Sequence, residues 1–128
     1  MRIVVVEDEA PIREGMAKLL SKINPEYELV GKAADGEAGY QLIRELNPDL
    51  VIMDIRMPKM DGIAMIKKLR EENIKCKVII LSAYSEFQYA QKAIELKADS
   101  YLLKPIKIPE LKSALKQAER EISEDQGT

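Results

Sequence analysis

Five apolar runs, Ile3–Val6, Tyr27–Ala33, Leu50–Asp54, Lys77–Ser82 and Tyr101–Leu103, recur along the chain at fairly even spacing. Those at Ile3, Leu50 and Val78 are near-continuous Val, Ile and Leu, the pattern of strands covered on both faces. Between the runs, apolar residues recur at helical spacing. Ile12, Met16, Leu19 and Ile23 mark one stripe, and Ala38, Leu42, Ile43 and Leu46 a second. Ile63, Ile66 and Leu69 form a third, and Ala90, Ala93 and Ile94 a weaker fourth. The last stripe, Ile108, Leu111, Leu115, Ala118 and Ile122, follows the 3.6-residue repeat most closely. Strand and helix alternate five times along the chain. That order predicts an α/β fold, a doubly wound five-stranded parallel sheet flanked by helices through right-handed crossovers.

Local signals agree. Pro11 and Pro109 suit first helical turns, and Asn47-Pro48 ends the second helix before the third strand. Ser85 with Gln88 fits a capping box for the fourth helix. Everything after Glu121 is polar, which reads as a frayed terminus or the first residues of a linker.

Composition narrows the chemistry. A chain of 128 residues is expected to form one domain, and a net charge of -2 gives no basic field for nucleic acid or anionic lipid. The single cysteine, Cys76, rules out an internal disulfide and a thiolate metal cluster, and reads as a partly buried structural thiol rather than a reactive one. No apolar run reaches the ~18–20 residues of a membrane span. The first residues open directly into a strand pattern without a signal-peptide layout, so a cytoplasmic setting is expected. The chain has no histidine. The commonest general base is therefore missing, and a phosphoryl group held here must sit on Asp, Glu, Ser, Thr or Tyr.

Open α/β sheets bind ligands at the carboxyl ends of their strands. Glu7 and Asp8 follow the first apolar run, Asp54 ends the third and Lys104 follows the fifth. If those strands are neighbours, three carboxylates and one ammonium converge. Such a set suits Mg²⁺ beside a phosphoryl group, with Asp8 and Asp54 as ligands and Glu7 acting directly or through water. Asp54 is the candidate nucleophile, because a carboxylate can attack phosphorus to give an acyl phosphate. The turn after it, Ile55-Arg56-Met57-Pro58, offers backbone N–H groups to phosphoryl oxygens. Lys104 would neutralise developing charge. Ser82, ending the fourth strand, either donates to a phosphoryl oxygen or caps its loop. Tyr101 is either a packing residue or one that moves. Asp61-Gly62 reads as a turn and helix cap; the Lys104–Pro105 bond is open between cis and trans, the base rate favouring trans.

The segments IVVVEDE, VIMDIRMPKMDG, IILSAY and DSYLLKPI resemble the receiver domain of two-component response regulators, over nearly the whole chain. The resemblance implies a receiver over residues 1–122 with a polar tail at 123–128, and the flavodoxin-like strand order 2-1-3-4-5. It implies Asp54 as phosphoacceptor, and Mg²⁺ held by Glu7, Asp8, Asp54 and the backbone carbonyl of Arg56. Ser82, Lys104, Met57 and Ala83 would bind the phosphoryl group and take part in the switch, with Tyr101 moving inward as Ser82 does. A histidine kinase would be the donor, docking on Pro58, Met57 and Met60, for which packing over the third helix is the alternative. The face of the fourth helix, fifth strand and fifth helix would change and support a homodimer. The stretch SAYSEFQYAQKAIELKADSYLLKPI further resembles receivers that precede an AraC-type helix-turn-helix domain, so DNA would be met only through an output domain.

Two positions depart from the family pattern. Glu7 stands where an aspartate is usual, and its extra methylene lets it reach the ion through water. Lys97 stands where glycine is common; a left-handed lysine costs about 1 kcal/mol, so another turn shape is expected there. A phosphohydrolase with an aspartate nucleophile would need a second acid two residues on and a lid, whereas position 56 is arginine. A nucleotide-binding module would need a phosphate-cradling glycine loop, and Gly31, Gly36 and Gly39 do not form that pattern. The remaining alternative is a receiver that acts as an adaptor without phosphorylation.

Overall fold

A computed structural model of the chain describes residues 1–55, 59–83 and 87–126. Arg56, Met57, Pro58 and Ser85, with the side chains of Gln88 and Ala90, lie outside the described residues. The strands are β1 (Arg2–Val6), β2 (Glu28–Ala33), β3 (Leu50–Asp54), β4 (Lys77–Ser82) and β5 (Ser100–Leu103). They alternate with α1 (Ala10–Ile23), α2 (Gly36–Leu46), α3 (Gly62–Glu71), α4 (Phe87–Glu95) and α5 (Ile108–Gln126). All pairings are parallel, in the order β2-β1-β3-β4-β5. The order reverses between β1 and β3, which puts their carboxyl ends side by side.

The central strands are apolar between their ends because both faces are covered. Val4, Val6, Val51, Met53, Val78 and Ile80 face one cluster with α2, α3 and α4. Ile3, Val5, Leu50, Ile52, Ile79 and Leu81 face another with α1 and α5. Most of the described stripe residues meet these faces, but Ala38, Ile94 and Ile108 are exposed. Ile94 is 73% exposed and Ile108 is 47% exposed. Ala93 and Leu96 carry the contacts of α4, and Ile106, just before α5, takes the core position that Ile108 was expected to fill. No described helix is long and apolar enough to cross a membrane.

Helix ends follow the sequence signals in most places. Pro11 lies in the first turn of α1. Asn47 closes α2 in the left-handed region at φ 47°, with its N–H on the Ile43 carbonyl. Asp61 caps α3 through the Ala64 N–H at 2.8 Å. α5 continues through residues 123–126, held where Lys77 Nζ lies 3.4 Å from Glu121 and 3.8 Å from Asp125. The Lys104–Pro105 bond, left open by the sequence, is cis. One expectation is overturned. Lys97 does adopt the left-handed conformation, at φ 61°. The turn after α4 keeps that shape because the Ala98 N–H reaches the Ala93 carbonyl at 2.9 Å and the Lys97 N–H reaches Ile94 at 3.0 Å. This is a Schellman closure, and the carbonyls it satisfies offset the strain.

Gly36 opens α2 against the segment after β3. A Cβ there would lie 1.7 Å from the Met60 carbonyl oxygen. Backbone cannot yield as a side chain does, so Gly36→Ala is expected to destabilise the protein by about 2 kcal/mol in urea unfolding. An unchanged midpoint would mean the loop moves aside freely.

Candidate functional site

The carboxyl ends of β1, β3, β4 and β5 gather the predicted side chains. Glu7 is 4% exposed, Asp54 9% and Ser82 fully buried, the only charged or polar side chains in the described core. The Glu7 N–H extends the β1–β2 ladder by bonding the Ala33 carbonyl at 3.0 Å, which fixes where its side chain starts. Lys104 Nζ donates to Glu7 Oε1 at 2.9 Å and to Asp54 Oδ2 at 2.8 Å. The β5 end is aligned with β4 by the Lys104 N–H on the Ser82 carbonyl at 2.7 Å. Asp8 is exposed, yet one oxygen from each of Glu7, Asp8 and Asp54 lies within 4.8 Å of the others.

The electrostatics follow from burial and crowding. Burial pushes the Glu7 carboxyl up to about 7; the adjacent Asp54 carboxylate adds to that rise, and Lys104 opposes it. Burial alone would lower the Lys104 ammonium, but its hydrogen bonds to Asp54 and Glu7 win, and its pKa stands above the usual lysine range. The cluster is short of positive charge. Glu7 Oε2 is buried with no hydrogen-bond partner. An orphaned carboxylate oxygen among all-oxygen donors fits a hard divalent cation or one of its waters, as Mg²⁺ binding would require.

Other predicted residues fall around this centre. Tyr101 is half-buried and packs against the α2–α3–α4 side of the core. Ala83 is exposed just past β4. Met60 is half-buried and packs against the same core cluster, so packing rather than exposure describes it. Cys76 is buried away from the site, and burial holds its thiol above the ordinary range, consistent with a structural role. One contributor that sequence reasoning missed is Arg13, whose Nη1 donates to the Glu7 carbonyl at 2.7 Å. Its place on α1, six residues after Glu7, carries no signal by itself.

A family model described as the response regulator receiver domain matches residues 3–116. The chain belongs to that family. Among curated receiver-containing proteins, the transcriptional regulatory protein YdfI of Bacillus subtilis is 39% identical over 103 residues, covering 80% of this chain and 47% of YdfI. The nitrate/nitrite response regulator NarL of Escherichia coli is 34% identical over 116 residues, covering 91% of this chain and 53% of NarL. This receiver thus spans about half the length of those two relatives. A crystal structure of a LuxR-family DNA-binding response regulator from Staphylococcus aureus superposes with a TM-score of 0.86 at 30% identity, over 91% of this chain and 97% of that one. These relatives are transcriptional and response regulators.

Proposed function

We propose that Asp54 accepts a phosphoryl group from a histidine kinase, and that Glu7, Asp8 and Asp54 hold Mg²⁺ for the transfer. The observation that carries this reading is the buried Asp54 carboxylate, paired with Lys104 and crowded by two further acids. An Asp54 oxygen attacks phosphorus while the donor's P–N bond breaks, so the phosphoryl group passes from imidazole to carboxylate. A bound Mg²⁺ supplies positive charge beside the phosphoryl oxygens. Lys104, already within hydrogen-bond distance of Asp54, follows the charge onto the new phosphoryl oxygens. Ser82 sits at the neighbouring strand end to donate its hydroxyl, with Ala83 next to it in the chain and Met57 following Asp54 on the other strand. The resemblance adds the backbone carbonyl of Arg56, outside the described residues, as a further donor that would hold the ion. Tyr101 then repacks, and the α4–β5–α5 face, where Ile94, Leu103 and Ile108 are exposed, changes its fit for a second copy. The kinase docks on α1 and on Met57, Pro58 and Met60 of the segment before α3.

The setting proposed is the cytoplasm, with transcription as the output through a DNA-binding domain outside this chain. The finer resemblance to receivers preceding an AraC-type domain rests on residues 82–106. The LuxR-family neighbour points to a different output class. The output domain encoded with this receiver, read from its gene, distinguishes them directly.

Intact mass after incubation with acetyl phosphate tests the reading. A gain of about 80 Da is expected, dependent on Mg²⁺ and abolished in Asp54→Asn. No gain, under conditions that modify another receiver, would overturn it in favour of the adaptor.

A further inference from the structure

The turn that presents Glu7 and Asp8 has few hydrogen bonds of its own. Glu9, the residue before α1, makes no side-chain cap. Pro11 has no N–H to give. Arg13 closes the turn in their stead. Its backbone N–H donates to the Glu9 carbonyl at 2.9 Å. Its guanidinium reaches further back, to the Glu7 carbonyl at 2.7 Å. With the Glu7 N–H already on Ala33 at 3.0 Å, the Glu7 main chain is held from both sides.

Asp8 needs that hold. It is exposed, and the carboxylates of Glu7 and Asp54 repel it towards water. We infer that Arg13 is a positioning residue for the cation site: by holding the Glu7–Asp8 peptide it keeps the Asp8 carboxylate turned to Asp54. The inference rests on the reading that these acids take Mg²⁺. The Arg13 side chain is 18% exposed, and its Nε lies 3.9 Å from Glu14, so the guanidinium is braced at a second point. Its planar fork serves both directions at once.

A charge effect and a positioning effect differ in sign. Removing a nearby cation tightens every divalent ion alike. Loosening a ligand weakens binding, and weakens Mg²⁺ most, because that ion demands a near-ideal octahedron while Ca²⁺ tolerates irregular ones. Isothermal titration of the wild type, Arg13→Met and Arg13→Lys with Mg²⁺ and with Ca²⁺ separates them. Arg13→Met is expected to lose about tenfold in Mg²⁺ affinity and only about two- to threefold in Ca²⁺ affinity. Arg13→Lys, which keeps a donor and the charge, is expected to recover most of the Mg²⁺ loss. Thermal unfolding without ions establishes that the variants are folded, and Arg13→Gln takes the place of Arg13→Met if that variant is not. Unchanged or tightened Mg²⁺ binding in Arg13→Met overturns the inference and leaves the cation reading intact. No Mg²⁺ binding by the wild type overturns the cation reading itself, and the role of Arg13 with it.

Discussion

Lys104→Met is expected to destabilise the metal-free protein by about 3 kcal/mol at about pH 8, and Mg²⁺ is expected to return most of that loss. The side chains of Glu7 and Asp54 are 5% and 11% exposed, and Lys104 is the cation bonded to both. Methionine fills similar space without charge, so the variant leaves two desolvated carboxylates facing each other. The pH dependence has a definite sign. Burial already pushes the folded Glu7 carboxyl up to about 7, against 4.5 for a free glutamate. A carboxyl raised on folding contributes stability at pH values below its unfolded pKa, and that contribution is lost as pH rises through the folded one. Without Lys104 the folded value climbs further. The difference between variant and wild type should therefore be small below about pH 7 and grow as pH rises above it. A divalent ion among the same acids replaces the missing charge, and about 10 mM Mg²⁺ should close the gap to within about 1 kcal/mol. Urea unfolding across pH, with and without Mg²⁺, reads both effects. A gap independent of pH and of Mg²⁺ would mean that Lys104 stabilises by packing alone.

Arg70→Ala should be comparably damaging, far from the site. The Arg70 guanidinium donates to the carbonyls of Leu96 (3.3 Å), Ile74 (2.9 Å), Cys76 (3.0 Å) and Lys97 (3.2 Å). These belong to two helix exits lying side by side. α3 leaves through left-handed Asn73, with the Ile74 N–H on the Leu69 carbonyl at 2.9 Å. α4 leaves through left-handed Lys97 in the same manner. One side chain therefore ties together two turns that neither sheet nor helix ladders satisfy. Hydrogen bonds from a charged donor contribute about 1.5–3 kcal/mol each where water cannot replace them. Water reaches part of this half-buried site, so a total loss of about 3 kcal/mol is expected. Arg70→Lys should recover less than half, because an ammonium lacks the fork that spans both turns. Denaturant midpoints for the two variants decide the matter, and a lysine variant as stable as wild type would refute the bridging account.

The contrast between these residues and the acids explains what sequence could and could not disclose. The strands were legible because continuous Val, Ile and Leu at residues 3–6, 50–52 and 78–81 have few uses other than a strand covered on both faces. The site was legible because strand ends converge in a doubly wound sheet, so Glu7, Asp54 and Lys104 could be brought together without knowing any distance. Arg70 was not legible, since its Leu96 and Lys97 partners lie 26 and 27 residues away and are backbone atoms that every residue carries. Tyr40 was missed on α2 for a related reason. It is 3% exposed, with Lys68 Nζ 4.4 Å from its ring centroid and its hydroxyl on Glu72. Those partners come from α3, and a polar-tipped ring is easily assigned to the surface when only its own helix is considered. Lys97 shows the reverse error, where a correct local cost was outweighed by the closure of the helix it ends.

The double-sided burial of β1, β3 and β4 makes the sheet a bulkhead. Odd and even positions along each strand serve different compartments, Val4 and Val6 one, Ile3 and Val5 the other. A change of volume in one compartment meets a rigid hydrogen-bonded wall before it reaches the second, so truncations on opposite sides should add independently. The wall ends at its carboxyl rim. There Glu7, Asp54 and Ser82 stand on the three strands that both compartments share. A chemical event at that rim is the one kind of perturbation to which both halves of the interior are exposed together.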